Sequence, residues 1–400
     1  MVVIRVDHVP RLLYVGDVPV EASYHGSALL HRLLSDYPPG QLMVLETATA
    51  SEPNRRLPGV NYISHPIGKS RWLNTRFHPY VVAWFTHASK RLAPRISQSV
   101  NGFDFETIFT VAHGFGWLAA AEIARKRNVP LHLVVHDDWP RVAGVAPRFR
   151  QWLDKRFASV YRQAQSRLCV SPAMSRFYNE HYGAPAEVIY PGRAADCPDY
   201  EEPPAQLGHN EKPFTIAFAG TINSDGYIEA LIALQKSLKA VNGRLLIFGP
   251  LTRDVAQQLG LADPNTEICG LLSSSQLLTR LREEAGALFV PMSFEESHRT
   301  NMQMAFPSKL ADYTATGLPL LIYGPSYCSA VAWARENPGV AEIVEAESGL
   351  ANAVERLATD SGRRIALGKH ALHVGREYFT HQRTQQVFYK ALRVNPAESV

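Results

Sequence analysis

Short apolar runs alternate with longer amphipathic ones along this chain, and the alternation is completed twice. "RLLYVG" (11–16), "QLMVLE" (41–46), "FETIFTV" (105–111), "LHLVVH" (131–136) and "RLCVS" (167–171) have the length and apolar continuity of strands buried on both faces. Helix-period segments such as "WLAAAEIARKR" (117–127) lie between them. After residue 210 the order begins again: "FTIAFAG" (214–220), "RLLIFG" (244–249), "TEICG" (266–270), "GALFVP" (286–291) and "PLLIYG" (319–324), separated by stretches like "YIEALIALQKSLKA" (227–240). Parallel strands need a crossover, usually a helix, so this pattern predicts two α/β domains with Rossmann-like parallel sheets. A chain of 400 residues also exceeds what one core usually organises.

The boundary falls in "PGRAADCPDYEEPPAQLGHNEKP" (191–213), which is rich in proline and acids and has no periodicity. The expected division is a first domain over 1–193, a linker over 194–213, a second domain over 214–373 and a C-terminal helical segment over 374–400. The aromatic anchors of that last segment, "HALHVGREYFTHQRTQQVFYKALRV", suit packing back on the first domain.

Composition narrows the function classes. The chain is 46% hydrophobic and 20% charged, as in ordinary globular proteins. No apolar run approaches the roughly 18 residues that would cross a bilayer. The opening "MVVIRVDHVPRLLYVG" is broken by Arg5, Asp7 and Arg11 and does not read as a signal peptide. Cys169, Cys197, Cys269 and Cys328 are far apart and form no CxxC pair, which argues against a zinc site or a disulfide framework and fits a reducing cytoplasm.

The net charge of +4 is uneven: residues 1–200 hold 23 Lys and Arg against 16 Asp and Glu. Residues 53–103 contain no acid, yet carry Arg55, Arg56, Lys69, Arg71, Arg76, Lys90, Arg91 and Arg95 among Trp72, Phe77, Tyr80, Trp84 and Phe85. Two readings stand side by side: a surface for anionic partners, such as the inner face of the plasma membrane or a lipid-linked phosphate, or a solvated basic helix with core aromatics. No nucleic-acid motif accompanies the stretch, so nucleic acid is not an expected partner.

Ligands of open α/β sheets bind beyond the carboxyl ends of the strands, and two such sheets facing each other would make a cleft. The polar and glycine-rich residues at those ends are therefore the candidates: Gly26, His113, His136, Asp137, Asp138, Gly220, Thr221, Asn223, Glu295, Glu296, Ser308, Lys309 and Asp312. In "FPSKLADYTATGLPLLIYGP" (306–325), Ser308 is a favoured helix N-cap and Lys309 adds a cation beside the free N–H groups, an arrangement suited to a diphosphate. Asp312, an acceptor-only group, suits the paired hydroxyls of a ribose. The chain has no Asp-x-Asp, so metal bridging of phosphates is not indicated and no cofactor is expected.

"PMSFEESHRTNMQMAFPSKLADYTATGLPLL" (291–321) resembles the donor-binding segment of the GT-B glycosyltransferases, particularly the large retaining family 4-like group that uses nucleotide sugars. Pro291, Glu295, Asp312 and "GLP" (317–319) fall in the places of that family's strand-end proline, first acid, second acid and G-x-P. The likeness extends to "RLLYVGDVPVEASYHGSALLHRLL", "HLVVHDDWP", "RLCVSPAMSRFYNEHYGAPAEVIYPG" and "FAGTINSDGYIEALIAL".

The resemblance implies two facing Rossmann-like domains, the first for the acceptor and the second for the nucleoside-diphosphate sugar, with the C-terminal helix crossing back to the first. It also implies transfer with retention. Glu295 (with Glu296 in reserve) would contact the transferred sugar, Asp312 the ribose, His136 the sugar or its developing charge, and Lys309 the leaving diphosphate. Gly26, Gly220, Thr221, Asn223 and Ser308 would lie about the nucleotide sugar, and His113, Asp137 and Asp138 on the acceptor side.

Two departures are visible. Sixteen residues separate Glu295 from Asp312 where the family usually has seven, and no cation follows "FAG" until Lys236, which leaves Lys309, with Arg299, to neutralise the diphosphate. A sugar-nucleotide epimerase or isomerase of the same architecture, or a binding subunit without catalysis, would share much of this pattern.

Overall fold

The computed structural model describes residues 9–23, 25–68, 70–209, 213–222 and 224–393. Lys69 and Asn223, both singled out from the sequence, lie outside the described residues. The contacts divide the chain into two units, 1–190 with 384–400, and 191–383.

The first unit is built on β1 (Leu12–Gly16), β2 (Leu42–Glu46), β3 (Asn61–Ser64), β4 (Thr107–Val111), β5 (Leu131–Val135), β6 (Ser166–Cys169) and β7 (Glu187–Val188). They form one sheet in the order β3-β2-β1-β4-β5-β6-β7, parallel at every pairing. Its helices are α1 (His25–Leu34), α2 (His78–Gln98), α3 (Gly116–Arg127), α4 (Trp139–Val142), α5 (Pro147–Gln163) and α6 (Pro172–Tyr182).

The second unit carries β8 (Thr215–Ala219), β9 (Arg244–Phe248), β10 (Thr266–Gly270), β11 (Ala287–Pro291), β12 (Leu320–Tyr323) and β13 (Ala341–Val344), ordered β10-β9-β8-β11-β12-β13 and again parallel. Its helices are α7 (Asp225–Ala240), α8 (Arg253–Gln258), α9 (Ser274–Glu284), α10 (Arg299–Met304), α11 (Lys309–Tyr313), α12 (Ser329–Glu336), α13 (Leu350–Thr359) and α14 (Ser361–Tyr378). Helix α15 (His381–Leu392) follows and returns to the first unit.

The central strands are the apolar runs read from the sequence. β1, β4, β5, β8 and β11 are buried along their whole length, because helices cover both faces of a parallel sheet. The three strands that escape that reading, β3, β7 and β13, lie at sheet edges. "NYIS" is half exposed and "EV" is two residues long, so neither makes a continuous apolar run.

The proline-rich stretch read as a linker is packed within the second unit. Leu207 is buried, and the buried Arg364 guanidinium donates to the Leu207 and His209 carbonyls. In α15, Phe388, Ala391 and Leu392 join the first unit's core with Leu12, Tyr14, Leu34 and Phe109, and the Gln385 amide donates to the Leu33 carbonyl at 2.9 Å. Residues 374–383 stay with the second unit, where Phe379 packs against Phe306 and Trp333.

Candidate functional site

In each sheet the strand order reverses at one place, between β1 and β4 in the first unit and between β8 and β11 in the second. The crevice outside the carboxyl ends at such a switch point is where open α/β sheets take ligands.

At the second unit's switch point, β8 runs into Gly220, whose φ of 146° favours glycine. Lys309, on α11, brings its ammonium there: Nζ lies 3.5 Å from where a Gly220 side chain would begin. It also stands 4.0 Å from the Phe218 ring centroid and 5.3 Å from that of Tyr227. Among the described residues no carboxylate is within ion-pair distance of it. Burial pushes this lysine down to about 7.

Tyr313 holds α11 in place. Its hydroxyl accepts from the Ala219 N–H at 2.6 Å and donates to the Ala219 carbonyl at 3.2 Å. From the other side the buried Arg193 guanidinium donates to the Ala311 carbonyl at 2.9 Å and to the Thr314 hydroxyl at 3.0 Å. Sequence reasoning missed both residues. Arg193 is the last residue of the span expected for the first domain, and Tyr313 stood unremarked in "SKLADYTATG".

Glu295, in the loop after β11, accepts the Gly226 N–H at 2.9 Å and so sits on the first turn of α7, where the helix dipole favours a carboxylate. A side chain at Gly226 would overlap Ser293, which explains the glycine in "SDGYIEAL". The other Glu295 oxygen accepts the Ser297 hydroxyl at 3.3 Å. Glu296 is exposed and pairs with Arg299 at 3.2 Å, while Arg299 also lies over Tyr327. The help expected from Arg299 with a diphosphate is thus opposed by a carboxylate already beside it.

Two expectations about α11 change. Ser308 has helical backbone angles and its side chain makes no capping hydrogen bond, and the helix is only five residues long. The dipole of a single turn is small, so the anion-holding role moves to the Lys309 ammonium. Asp312 is half-buried and lines a shallow pocket with Ser274, Ser275, Leu278 and residues of the 194–198 segment. Thr221, just past Gly220, is partly buried.

At the first unit's switch point the sequence reading missed the central residue. Asp17 follows β1 and is tied to the N-terminus of α3: it accepts the Phe115 N–H at 2.5 Å, the Gly116 N–H at 3.0 Å and the Thr47 hydroxyl. Burial raises its pKa above the usual carboxylate value, against the opposing pull of these donors and of nearby His113. Gly114, at φ 58°, is wrapped so closely that a side chain would overlap the Asp17 carboxylate. The loop is "AHGFG", where the sequence reading singles out His113 but not the loop's partner Asp17.

His113 is exposed there, after β4, and His136 follows β5. Burial drives His136 down to about 4, with Asp137 opposing and His113 adding to the shift, so the ring is neutral near pH 7. His113, His136 and Asp137 are therefore electrostatic neighbours.

Asp138 is a correction. It is fully buried, Arg141 donates to both its oxygens at 3.0 Å, and the Tyr178 hydroxyl donates at 2.9 Å. That carboxylate belongs to the fold and is closed to an acceptor. Among the described residues, a side chain added at Gly26 would meet Val18 at an ordinary 3.6 Å. Among the described residues no group of three or more His, Cys, Asp or Glu is placed to hold a metal ion.

Two parallel Rossmann-like sheets and a helix returning to the first unit define the class of the fold, the GT-B architecture. The fold is that of HepE from Anabaena, solved with UDP and glucose (TM-score 0.65, 12% identity, 96% of this chain and 99% of that one). It is also that of a sucrose-phosphate synthase from Thermosynechococcus elongatus (0.68, 14%, 97% and 100%). WaaG, a glycosyltransferase involved in lipopolysaccharide biosynthesis, matches as well (0.61, 14%, 94% and 99%). Residues 43–196 match the profile of Glycosyltransferase Family 4. A search of curated protein sequences finds no match. Over residues 43–196 the chain is thus similar to Glycosyltransferase Family 4, and over nearly its whole length it has the fold of these enzymes.

Proposed function

We propose that the second unit holds the donor at the carboxyl ends of β8 and β11, and that the first unit takes a glycan or lipid-linked acceptor beside His113, His136 and Asp137. The sugar is transferred with retention and without metal, in the biosynthesis of a cell-surface polysaccharide or glycolipid at the cytoplasmic face of the membrane. HepE's UDP and WaaG's part in lipopolysaccharide biosynthesis support testing a uridine nucleotide and a lipid-linked acceptor first.

The observation that carries this reading is the Lys309 ammonium, held at the end of β8 beside Gly220 with aromatic faces around it and no carboxylate partner among the described residues. As the bond between the anomeric carbon and the diphosphate breaks, its electron pair leaves on the phosphate oxygen. A fixed cation there stabilises charge that exists only once the bond is breaking. The acceptor hydroxyl attacks from the same face and passes its proton to the departing phosphate. His136, neutral, hydrogen-bonds a sugar hydroxyl, Asp312 takes the ribose, and Glu295 offers the oxygen that Gly226 does not occupy. The glycine at Gly26 leaves room for ligand at the end of β1.

The test is a thermal-shift panel of UDP, GDP, dTDP, ADP and CMP on the purified protein, without and with magnesium. One nucleoside diphosphate should stabilise the fold by about 2.7 kcal/mol at a hundredfold excess over its dissociation constant. A shift unchanged by magnesium supports the metal-free reading; no shift with any nucleotide overturns the donor site.

A further inference from the structure

The acid-free stretch of the first unit carries four of the eight large apolar side chains exposed among the described residues, all four of them aromatic. Phe77, the residue before α2, and Tyr80 and Trp84 within it are 54%, 49% and 53% exposed and follow one another at spacings of three and four, which places them on one side. Trp72, from the preceding turn, is 42% exposed and lies 5.8 Å from Trp84, ring to ring. The opposite face of α2 is the buried one, with Val82, Phe85, Thr86, Ser89 and Ile96.

The ridge is held rather than loose: both indoles lean on buried Phe85, at 5.3 Å and 6.3 Å. Phe149 of α5 extends it, meeting Tyr80 edge-on at 6.4 Å. Single exposed apolar residues are ordinary, but four aromatics gathered on one ridge mark a contact surface.

Its rim is cationic. The Arg76 guanidinium lies 4.9 Å over Phe77, and Arg148 stacks on Tyr80 and Phe149 at 5.1 and 4.9 Å. Arg71, Arg76 and Arg148 are exposed, and among the described residues none has a carboxylate within ion-pair distance. Further along α2 come Lys90, Arg91 and Arg95, of which Lys90 reaches Glu122 at 3.7 Å.

We propose that this aromatic ridge and its arginine rim seat the first unit on a bilayer of anionic lipid. Tryptophan and tyrosine favour the headgroup boundary, where an amphipathic helix lies in the plane with its apolar face inserted. The arginines then meet lipid phosphates, each adding affinity that salt screens. A second copy of the chain fits less well, because a two-fold contact would bring the same unpaired arginines together. The inference deepens the proposed membrane-borne acceptor but stands on its own geometry.

The experiment is vesicle flotation without donor or acceptor. Vesicles of phosphatidylcholine alone are compared with phosphatidylcholine mixed with phosphatidylglycerol, and each is run at low and high salt. The protein should float with the anionic vesicles only, and less at high salt, with a blue shift of tryptophan emission. Arg71→Glu with Arg76→Glu, at exposed positions, should bind about tenfold or more weakly. Trp72→Ser with Trp84→Ser should lose both binding and most of the blue shift.

Either variant must keep the native nucleotide-induced thermal shift, which separates failure here from failure of the donor site. Three results overturn the proposal. The arginine variant could float like the native protein, or neutral vesicles could bind equally well. Alternatively, the native protein could prove to be a dimer that the aromatic variant turns into a monomer.

Discussion

The ammonium of Lys309 lies 4.0 Å from the centre of the Phe218 ring, at the carboxyl end of β8. An aromatic face stabilises a cation only in part, worth about 0.5–2 kcal/mol. Burial, which lowers this lysine to about 7, works against it. An anion arriving at the end of β8 therefore meets a cation whose charge the protein has left mostly uncompensated.

Donor binding should accordingly take up a proton above neutrality. Below pH 7 the lysine is already charged; above it, the free protein must be protonated as the anion binds. A nucleotide sugar has no phosphate proton to lose near pH 7, so calorimetry in buffers of different ionisation enthalpy isolates the lysine. Uptake should grow as pH rises past about 7, with affinity falling over the same range. Lys309→Gln should abolish the uptake and weaken binding about 10–100-fold, as expected for a lost charged hydrogen bond, with little change in melting. Full uptake in that variant would assign the proton to another group.

Glu295 serves two purposes that one pair of variants can separate. Its carboxylate accepts the Gly226 N–H, so Glu295→Ala should cost the second unit about 1 kcal/mol, as losing a helix cap does. Glu295→Gln keeps an acceptor oxygen of the same shape and should melt near the native value. If the carboxylate also meets the donor sugar, kcat falls in both variants; native kcat in Glu295→Gln would leave the residue a purely structural role.

Asp138 is expected to behave oppositely to its neighbours. Asp138→Ala strips Arg141 and Tyr178 of their shared partner and should destabilise the first unit by roughly 1–3 kcal/mol, leaving nucleotide binding intact. Denaturant melts and the nucleotide thermal shift measure the two effects. A stable Asp138→Ala that no longer glycosylates its acceptor would return the residue to the acceptor side.

Acid should weaken the first unit earlier than its carboxylates alone would. Burial lowers both His132 and His136 to about 4, while the unfolded chain takes up those protons near 6.5. The stability they confer is present above about 6.5 and is lost as pH falls towards 4. Chemical melts from pH 7 to 4 should show the loss, and His132→Leu should flatten it. His132 is the cleaner probe, being 1% exposed in β5 and, among the described residues, bonded only to the Ser166 hydroxyl.

The apolar runs of the sequence by themselves determined the two parallel sheets. A strand buried on both faces has to be apolar along its whole length, and β1, β4, β5, β8 and β11 carry that signature locally. The edge strands β3, β7 and β13 lacked it because solvent covers part of them. The segment holding Lys309 and Asp312 was also legible, since a proline, a serine and a cation before a helical turn form a short-range pattern.

Which groups those residues meet was decided by the tertiary structure. Glu295 finds Gly226 69 residues away, and Tyr313 finds Ala219 94 residues away. Asp138 and Asp137 are adjacent in sequence, yet one is sealed between Arg141 and Tyr178 while the other stands near His136. Periodicity records whether a position is buried. Hydrogen-bond partners and desolvation, which turn a buried carboxylate into a cap and a lysine into an anion site, depend on elements brought together only by folding.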